Sequence, residues 1–286
     1  MLNQREFPVI SPAPQIRYFD AADGYRAAVR VWSQQQPLGY IVLVHGIVSH
    51  GGWYFSSCRH LAKAGFEVHF MERRGSGLNL ADRGDVDRWQ TWLDDLEAYI
   101  GALPTDASRL LFGISWGGKL AAAFARHRPD MVAGIGLLCP GLFAKQFPSR
   151  IKYSALSLAR KCGMAKKRVT IPLQDPALFT ESPEWQDYVQ RDPLTLQKVT
   201  VRFALEDRKL TRYATEAPQE IRVPTLAVLA GRERIVNNAR VRKFFDQIDC
   251  EKKKLIEYAS AAHTLEFEPD PNEYFRDLTE WARKRV

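Results

Sequence analysis

Cysteine is scarce in this chain, and its arrangement matches no known cysteine motif. The four residues, Cys58, Cys139, Cys162 and Cys250, are far apart and fit neither a zinc nor a redox spacing. We therefore expect buried free thiols in a reducing compartment and no metal site.

Long apolar runs are also missing. No stretch reaches the length of a transmembrane helix. The N-terminal residues 1–14 carry Arg5 and Glu6 but no apolar run of the kind found in a secretory signal. Repeats and low-complexity segments are absent as well. These absences favour a cytoplasmic protein, and 286 residues of which 45% are hydrophobic can form one large core.

Acidic residues are fewer than basic ones, and the imbalance is local. The chain has 41 lysines and arginines against 33 aspartates and glutamates, a net charge of +8. Residues 143–212 alone hold 14 basic residues against seven acidic ones, so nearly all of the excess lies there. Because this basic region contains no recognisable nucleic-acid-binding module, a nucleic-acid partner is not expected.

Strands and helices alternate over most of the chain. The continuous apolar run 40–44 is typical of a strand covered on both faces, and the turn signal at Asp23 and Gly24 predicts a hairpin of strands 16–19 and 27–32. Further strands are predicted at 66–71, 110–112, 135–139, 225–230 and 254–258, and helices at 53–63, 89–102, 119–126, 237–247 and 271–285. The helix 89–102 should turn Asp95 to solvent. This alternation predicts a parallel, doubly wound α/β sheet.

The alternation stops between residues 142 and 218. This segment has no clear strand, and we interpret it as a largely helical insertion above one finished sheet. The expected organisation is a core from 1–141, a cap or lid from 142–218, and the rest of the core from 219–286.

One short stretch carries the chemistry, Gly113-Ile114-Ser115-Trp116-Gly117-Gly118. It follows a short apolar run and precedes an alanine-rich segment with helical character, so a strand, a tight turn and a helix are in line. Such a turn forces its central residue to a positive φ and leaves room only for glycine two positions away on either side. The pattern predicts a nucleophile elbow with Ser115 exposed at its tip.

A serine hydroxyl needs an imidazole to accept its proton and a carboxylate to orient that imidazole. In doubly wound hydrolases these partners follow the serine in the order acid, then histidine. Only His127 and His263 follow Ser115, and His127 lies at the far end of the elbow helix. Glu233 comes just after the predicted strand 225–230, where a carboxylate is needed. We therefore assign Ser115, Glu233 and His263 as the catalytic residues.

The tetrahedral oxyanion of acyl transfer needs backbone N–H donors that are already in position. One is expected from Trp116, directly after the nucleophile. The other is expected from Ile47, which follows His45 and Gly46, where glycine permits a close approach of the backbone.

At this point the sequence resembles the alpha/beta-hydrolase superfamily, and within it the monoacylglycerol lipase and lysophospholipase-like branch. The stretch 45–54, with sequence HGIVSHGGWY, is similar to the oxyanion stretch of that branch. Residues 75–77 match its G-x-G loop, and residues 231–236 match its acid loop. The likeness covers nearly the whole chain apart from the insertion.

The resemblance implies an alpha/beta-hydrolase fold, in which a mostly parallel eight-stranded sheet has helices on both faces and a helical cap. It agrees with the assigned triad and oxyanion donors. A substrate pocket would include the following residues: His45, Gly46, His50, Phe143 and Phe147. Three departures leave the substrate open: Ile114 and Trp116 flank the serine in place of histidine and methionine, Glu233 replaces an aspartate, and the loop 72–79 begins with glutamate rather than aspartate.

The expected activity is that of a serine hydrolase that cleaves a small-molecule carboxylic ester through an acyl-enzyme. A mono-acyl lipid, either a monoacylglycerol or a lysophospholipid, is the favoured substrate, and the reaction requires neither a metal nor an organic cofactor. Two alternatives remain open: a thioesterase or acyltransferase with the same triad, and a catalytically inactive binding scaffold.

The segment 151–168 is a basic amphipathic helix by pattern. Its apolar residues on one helical face are Ile151, Ala155, Leu158, Ala159 and Cys162. In one interpretation this stripe packs on the pocket roof and the cations are simply solvated. In the other, the helix contacts an anionic membrane or steers a negatively charged acyl substrate toward Ser115.

Overall fold

The computed structural model describes residues 13–145 and 150–286. The strands in these residues are β1 (Gln15–Asp20), β2 (Arg26–Trp32), β3 (Tyr40–Val44), β4 (Glu67–Met71), β5 (Arg109–Ile114), β6 (Gly134–Leu138), β7 (Arg168–Thr170), β8 (Lys198–Thr200), β9 (Thr225–Ala230) and β10 (Lys253–Tyr258). The helices are α1 (Phe55–Lys63), α2 (Gln90–Gly101), α3 (Trp116–His127), α4 (Arg150–Lys161), α5 (Pro183–Arg191), α6 (Val201–Thr215), α7 (Asn238–Asp246) and α8 (Asn272–Arg283).

Eight strands form the main sheet in the order β1-β2-β4-β3-β5-β6-β9-β10. Only β2 runs against the others, since it pairs antiparallel with both β1 and β4 and the remaining pairs are parallel. The central strands are apolar and buried on both sides, as β3 and β9 illustrate, because helices cover the sheet: α1 packs against α8, and α2 against α3. The expected mostly parallel α/β-hydrolase sheet is confirmed.

The strand register aligns the carboxyl ends of the central strands. Val44 at the end of β3 is level with Gly113 of β5, and Ile114 is level with Leu138 at the end of β6. The loops that follow these strands therefore meet at one edge of the sheet, where open α/β sheets bind their ligands.

The segment 142–218 adds no strand to the large sheet within its described residues. It contains α4, α5 and α6, and α6 packs on α3 of the core and on α4. It also contains an antiparallel pair, β7 with β8, where the sequence had indicated no clear strand. That expectation was wrong because each strand is only three residues long and its partner lies across an intervening helix.

Part of the apolar stripe of α4 faces outward. Ile151 is 81% exposed and Leu158 is 63% exposed, whereas Tyr153 on the opposite side is buried against α6. These two residues therefore do not pack on the pocket roof, whereas Ala155 of the same stripe lines the cavity beside Ser115. Arg208 of α6 lies over the Tyr153 ring, 4.2 Å from its centre, and fixes the helix with that face inward.

Two smaller expectations also require correction. Asp95 is buried rather than exposed, because Arg74 donates to it through both Nε and Nη2 at 2.8 and 2.6 Å. Cys162 is exposed, whereas Cys58 and Cys139 are buried and Cys250 is partly buried; all four are free thiols. In the described ranges, no helix combines the length and apolarity needed to cross a membrane.

Candidate active site

Ser115 occupies a strained turn between β5 and α3. Its backbone adopts φ 52° and ψ −116°, in the positive-φ region that non-glycine residues rarely visit. A Cβ at Gly113 would lie 2.1 Å from the Gly117 carbonyl oxygen, and one at Gly117 would lie 2.2 Å from that of Val44. Only glycine fits at these positions, so the GxSxG spacing follows from the geometry of the turn.

Ser115, His263 and Glu233 form one continuous hydrogen-bonded line. His263 Nε2 lies 2.9 Å from Ser115 Oγ, and His263 Nδ1 lies 2.7 Å from Glu233 Oε2. Glu233 follows β9 and His263 follows β10, two strands that pair in parallel, so the loops carrying the two side chains are neighbours. The residues that the sequence assigned from three distant segments are thus brought together.

The carboxylate of Glu233 is stabilised in its ionised form. Burial by itself would raise its pKa, but His263 and the N–H groups of Ile235 and Val236 outweigh burial, and the net pKa is below the usual value. The two N–H groups donate to Oε1 at 2.7 and 3.2 Å. Lys145 Nζ donates to the Glu233 carbonyl at 2.5 Å and ties the start of the cap segment to this loop.

The loop after β3 is organised by a buried neutral histidine. His45 Nε2 accepts a hydrogen bond from the Arg73 backbone N–H at 3.0 Å, so Nδ1 carries the proton and donates to the Gly46 carbonyl at 2.8 Å. Burial, assisted by the Arg73 charge, holds the pKa of His45 well below its ordinary value. His45 therefore supports the loop and is not a proton carrier at neutral pH.

Gly46 gives the backbone close access to the nucleophile. A Cβ at this position would lie 3.3 Å from Ser115 Cβ and 3.6 Å from its Oγ. Ile47 follows directly, and Trp116 begins α3, so both backbone segments run beside Ser115. The N–H of the first residue of a helix has no intrahelical acceptor, which leaves that of Trp116 available to a ligand.

His50 links the loop after β3 to the cap. Its Nδ1 accepts from the Gly52 N–H at 3.0 Å, and its Nε2 lies 2.7 Å from Asp192 Oδ2 in the cap. The indole N–H of Trp53 donates to the same Asp192 oxygen at 2.7 Å. This arrangement gives His50 a structural position between core and cap.

A cavity of about 450 Å³ lies between core and cap next to Ser115. We call it the cap cavity. Its apolar walls include Tyr153, Leu156, Val169, Val199, Ala204 and Ile235. Ile47 and Trp116 lie on its lining with Ser115, and its volume falls within the roughly 300–1,000 Å³ typical of small-molecule pockets.

The four expected pocket residues that the structure describes do not line the cap cavity, although the backbone of Gly46 lies beside Ser115. His45 is bonded within the loop after β3, His50 is bonded to Gly52 and to Asp192 of the cap, and Phe143 packs away from the cavity. The Phe143 ring lies against Phe244 at 6.1 Å between centres and beneath the Arg240 guanidinium at 4.3 Å. Phe147 lies outside the described residues.

A polar cluster at the cavity wall was missed in the sequence. Asp207 of α6 accepts from the Trp116 indole N–H at 2.6 Å and from Lys119 Nζ at 2.8 Å, and Lys119 also donates to Thr211 at 2.8 Å. Its only sequence signal is the unusual tryptophan after the nucleophile, whose indole N–H needs an acceptor when buried.

Cys139 lies close to the acid and the base. Its sulfur and the nearest ligand-type atoms of Glu233 and His263 are all within 4.8 Å of one another. Burial raises the pKa of the Cys139 thiol well above its usual value, and Glu233 adds to that effect, so the sulfur is protonated. Because a metal ligand must be a thiolate and the histidine and glutamate already bond to each other, these residues fit a metal site poorly.

Comparison with known proteins gives consistent matches over nearly the whole chain. A family model described as Hydrolase_4, serine aminopeptidase S33, matches residues 35–270. Phospholipase YtpA of Bacillus subtilis is 27% identical over 253 residues, which cover 86% of this chain and 95% of that protein. Monoacylglycerol lipase of Mycolicibacterium smegmatis is 24% identical over 271 residues, covering 92% and 95%.

Solved structures show the same fold. A soluble variant of the monoglyceride lipase from Saccharomyces cerevisiae, in complex with a substrate analogue, superposes with a TM-score of 0.85 at 19% identity and covers 98% of this chain and 97% of that one. The monoacylglycerol lipase of Paleococcus ferrophilus gives 0.83 at 22% identity, covering 91% and 99%.

Proposed function

We propose that this chain, which belongs to the Hydrolase_4 family and is a carboxylic ester hydrolase, cleaves the ester of a mono-acyl lipid such as a monoacylglycerol or a lysophospholipid. The observation that carries the proposal is the hydrogen-bonded line from Ser115 through His263 to Glu233 beside the apolar cap cavity.

In this mechanism Ser115 attacks the acyl carbon while His263 accepts its proton. Glu233 holds the imidazole by its Nδ1–H and stabilises the imidazolium that forms. His263 then returns the proton to the departing alcohol, which leaves an acyl-enzyme on Ser115. Water activated by His263 attacks this ester and frees the fatty acid.

The oxyanion of each tetrahedral intermediate would bind to the backbone N–H groups of Ile47 and Trp116. Both residues border the cap cavity beside Ser115. Donors fixed by the loop after β3 and by the first turn of α3 need no rearrangement as charge develops, which is the main advantage of such a hole.

The volume and lining of the cap cavity support a single acyl chain. Its walls are mainly aliphatic, so an alkyl chain would gain about 0.8 kcal/mol for each methylene that it buries. The names of the relatives from Bacillus subtilis and Mycolicibacterium smegmatis, a phospholipase and a monoacylglycerol lipase, support the same substrate class.

The test is hydrolysis of p-nitrophenyl esters with acyl chains from two to sixteen carbons, followed by monoacylglycerol and lysophospholipid with the preferred chain. Wild type should be active and should react with a fluorophosphonate, and Ser115→Ala should do neither. Acyl-thioesters of the same chain length distinguish an esterase from a thioesterase. A wild-type protein inert to all esters and to the fluorophosphonate would refute the proposal.

We also propose that α4 contacts an anionic membrane. Its outward stripe contains Ile151 and Leu158, and exposed basic residues follow the helix at Lys166, Lys167 and Arg168. An apolar stripe beside cations is the pattern of helices that lie in the interface of anionic bilayers. Since residues of α4 also line the cap cavity, a lipid leaving the bilayer would meet the cavity directly.

Sedimentation with vesicles of phosphatidylcholine, with and without phosphatidylglycerol, tests this contact. Binding should require the anionic lipid, weaken with salt, and fall in Leu158→Glu and in the Lys166→Glu/Lys167→Glu variant. Ile16→Glu, a matched change at an exposed apolar residue of β1, should bind like wild type. A vesicle affinity that changes neither with anionic lipid content nor with salt would refute the membrane proposal.

A further inference from the structure

Arg73, which follows β4, contacts both residues of the proposed oxyanion hole. Its Nη2 donates a hydrogen bond to the Ile47 carbonyl at 3.0 Å. Its guanidinium carbon lies 4.6 Å from the centre of the Trp116 ring, within the range of a cation–π contact. The loop after β3 and the first turn of α3, which are separate segments, are thus joined through one side chain.

The guanidinium of Arg73 is buried with most of its hydrogen-bonding capacity unused. Arg73 is 4% exposed, and its Nε and Nη1 have no hydrogen-bond partner among residues 13–145 and 150–286. Burial lowers the pKa of Arg73 from its usual value to about 9, and Asp207 offsets only part of that effect. The side chain is still cationic at neutral pH, so a positive charge is held in a dry site.

The neighbouring Arg74 has a structural role in this loop and serves as a comparison for Arg73. Arg74 donates to Asp95 at 2.8 and 2.6 Å and to Asp23 at 2.9 Å, so its charge is balanced. Within the part of the chain that the structure describes, Arg73 has no such carboxylate partner. An unsatisfied buried cation destabilises a fold. A methionine would fill similar space without that cost, so packing alone does not account for Arg73.

We propose that Arg73 is a positioning residue for the oxyanion hole. It holds the backbone N–H groups of Ile47 and Trp116 in position and adds positive charge beside the oxyanion. This inference rests on the proposed function, because it assumes that the N–H groups of Ile47 and Trp116 stabilise the tetrahedral intermediate. The charge acts through a low-dielectric medium that water does not screen, which increases its effect on a developing anion.

The contacts around Trp116 explain why the arginine can hold it. The indole N–H is fixed by Asp207, the edge of the ring meets Trp92 at 4.9 Å between centres, and Arg73 lies over its face. Removing Arg73 would take the nearer of two cations from the Trp116 ring, leaving Lys119 at 5.9 Å, and would leave the Ile47 carbonyl without its donor. Both proposed donors would then gain freedom at the same time.

The experiment compares wild type with Arg73→Met, Arg73→Lys and Arg88→Met. Arg88 is the matched control, an arginine with a side chain 54% exposed that pairs with Asp94 on the surface. Four quantities are measured for each protein: kcat and KM on p-nitrophenyl butyrate, the inhibition constant of an alkyl trifluoromethyl ketone, and the thermal midpoint. The ketone forms a hemiketal oxyanion on the serine and therefore reports on the hole itself.

Arg73→Met should lower kcat about tenfold to a hundredfold with little change in KM, somewhat less than the loss of a whole oxyanion donor. Its affinity for the trifluoromethyl ketone should fall by the same factor, while its thermal midpoint stays the same or rises. Arg73→Lys, which keeps the charge and one donor, should recover part of both losses. Arg88→Met should match wild type throughout.

Two outcomes would overturn the inference in distinguishable ways. If wild type is active and Arg73→Met keeps its kcat and ketone affinity, or loses both only in proportion to its thermal midpoint, then Arg73 has no positioning role although the proposed function stands. If wild type neither hydrolyses esters nor reacts with a fluorophosphonate, the proposed function fails and this inference fails with it.

Discussion

Trp116 donates a hydrogen bond of 2.6 Å through its indole N–H to Asp207, a residue of cap helix α6. The same carboxylate oxygen accepts from Lys119 of α3 at 2.8 Å. Core and cap are therefore joined through Trp116, the residue next to the nucleophile. A displacement of α6 would move Trp116, one of the two residues of the proposed oxyanion hole.

Asp207→Asn should lower the stability of the protein. The side chains of Lys119 and Asp207 are 5% and 16% exposed, so loss of the anion leaves Lys119 buried without a charge partner, at a cost of about 3 kcal/mol. Urea unfolding measures the change. Lys119→Met should restore much of the loss when combined with Asp207→Asn, since it removes the uncompensated charge. Glu216→Gln, beside the exposed end of α6, serves as control, and strictly additive effects in the double variant would contradict the coupling.

Glu233→Gln should lower kcat by about 10³-fold or more. An amide neither keeps the proton on His263 Nδ1 nor stabilises the imidazolium as a carboxylate does. Glu233→Asp keeps the charge but shortens the side chain, so a smaller loss is expected. Ester hydrolysis at saturating substrate measures both. Glu257→Gln, on β10 and outside the cap cavity, should match wild type. A Glu233→Gln variant with more than about a tenth of the wild-type kcat would argue against this acid.

The sequence predicted best what depends on local pattern. Strands β3 and β9 agree with their predicted bounds to the residue, because a continuous apolar run is sufficient to mark a strand buried on both faces. The contacts of Ser115, Glu233 and His263 were also foreseen, since each follows a strand at the same sheet edge.

The errors concern partners that are distant in sequence. Asp95 occupies a helix position that its neighbours mark as exposed, and only the Arg74 side chain from another loop explains its burial. Phe143 is an aromatic residue of the kind that lines acyl pockets, but its ring packs against Phe244 and not on the cavity. The direction of the α4 stripe depends on how α4 rests on α6, which no helical periodicity reveals.

Glu266 should make the stability of the fold depend on pH. It lies three residues after His263, and its carboxylate accepts hydrogen bonds from the N–H groups of Ser56 and Ser57 and from the Ser57 hydroxyl. Burial, only partly offset by these bonds, raises the pKa of Glu266 to about 7. The folded protein therefore binds more protons than the unfolded chain between about pH 4.5 and pH 7, and stability falls as pH rises through that window.

Between about pH 4.5 and pH 7 the free energy of unfolding should fall by about 3 kcal/mol, since each pKa unit corresponds to about 1.4 kcal/mol. Glu266→Gln removes the ionisable group, so its stability should fall less than that of wild type between pH 5 and pH 8. Urea unfolding of both proteins at these two pH values gives the comparison, with Glu273→Gln on the surface of α8 as control. Parallel pH dependence of wild type and Glu266→Gln would exclude a raised pKa for this carboxyl.

Ala204→Phe should shift the proposed acyl-chain preference toward shorter chains. Ala204 lies on α6 and lines the cap cavity, so a phenyl group there would fill space that the acyl chain is proposed to occupy. Each methylene excluded from such a pocket costs about 1 kcal/mol or more of transition-state binding. We expect kcat/KM for p-nitrophenyl palmitate to fall more than about tenfold, with p-nitrophenyl acetate changed less than about threefold.

The matched control is Ala22→Phe, which adds the same group in the exposed turn between β1 and β2. Its chain-length profile should be that of wild type. An Ala204→Phe protein that loses activity equally on acetate and palmitate would indicate damage to the triad rather than to the cavity. One that hydrolyses both as wild type does would mean that the acyl chain lies elsewhere, because a phenyl group at this position cannot share the space with an extended alkyl chain.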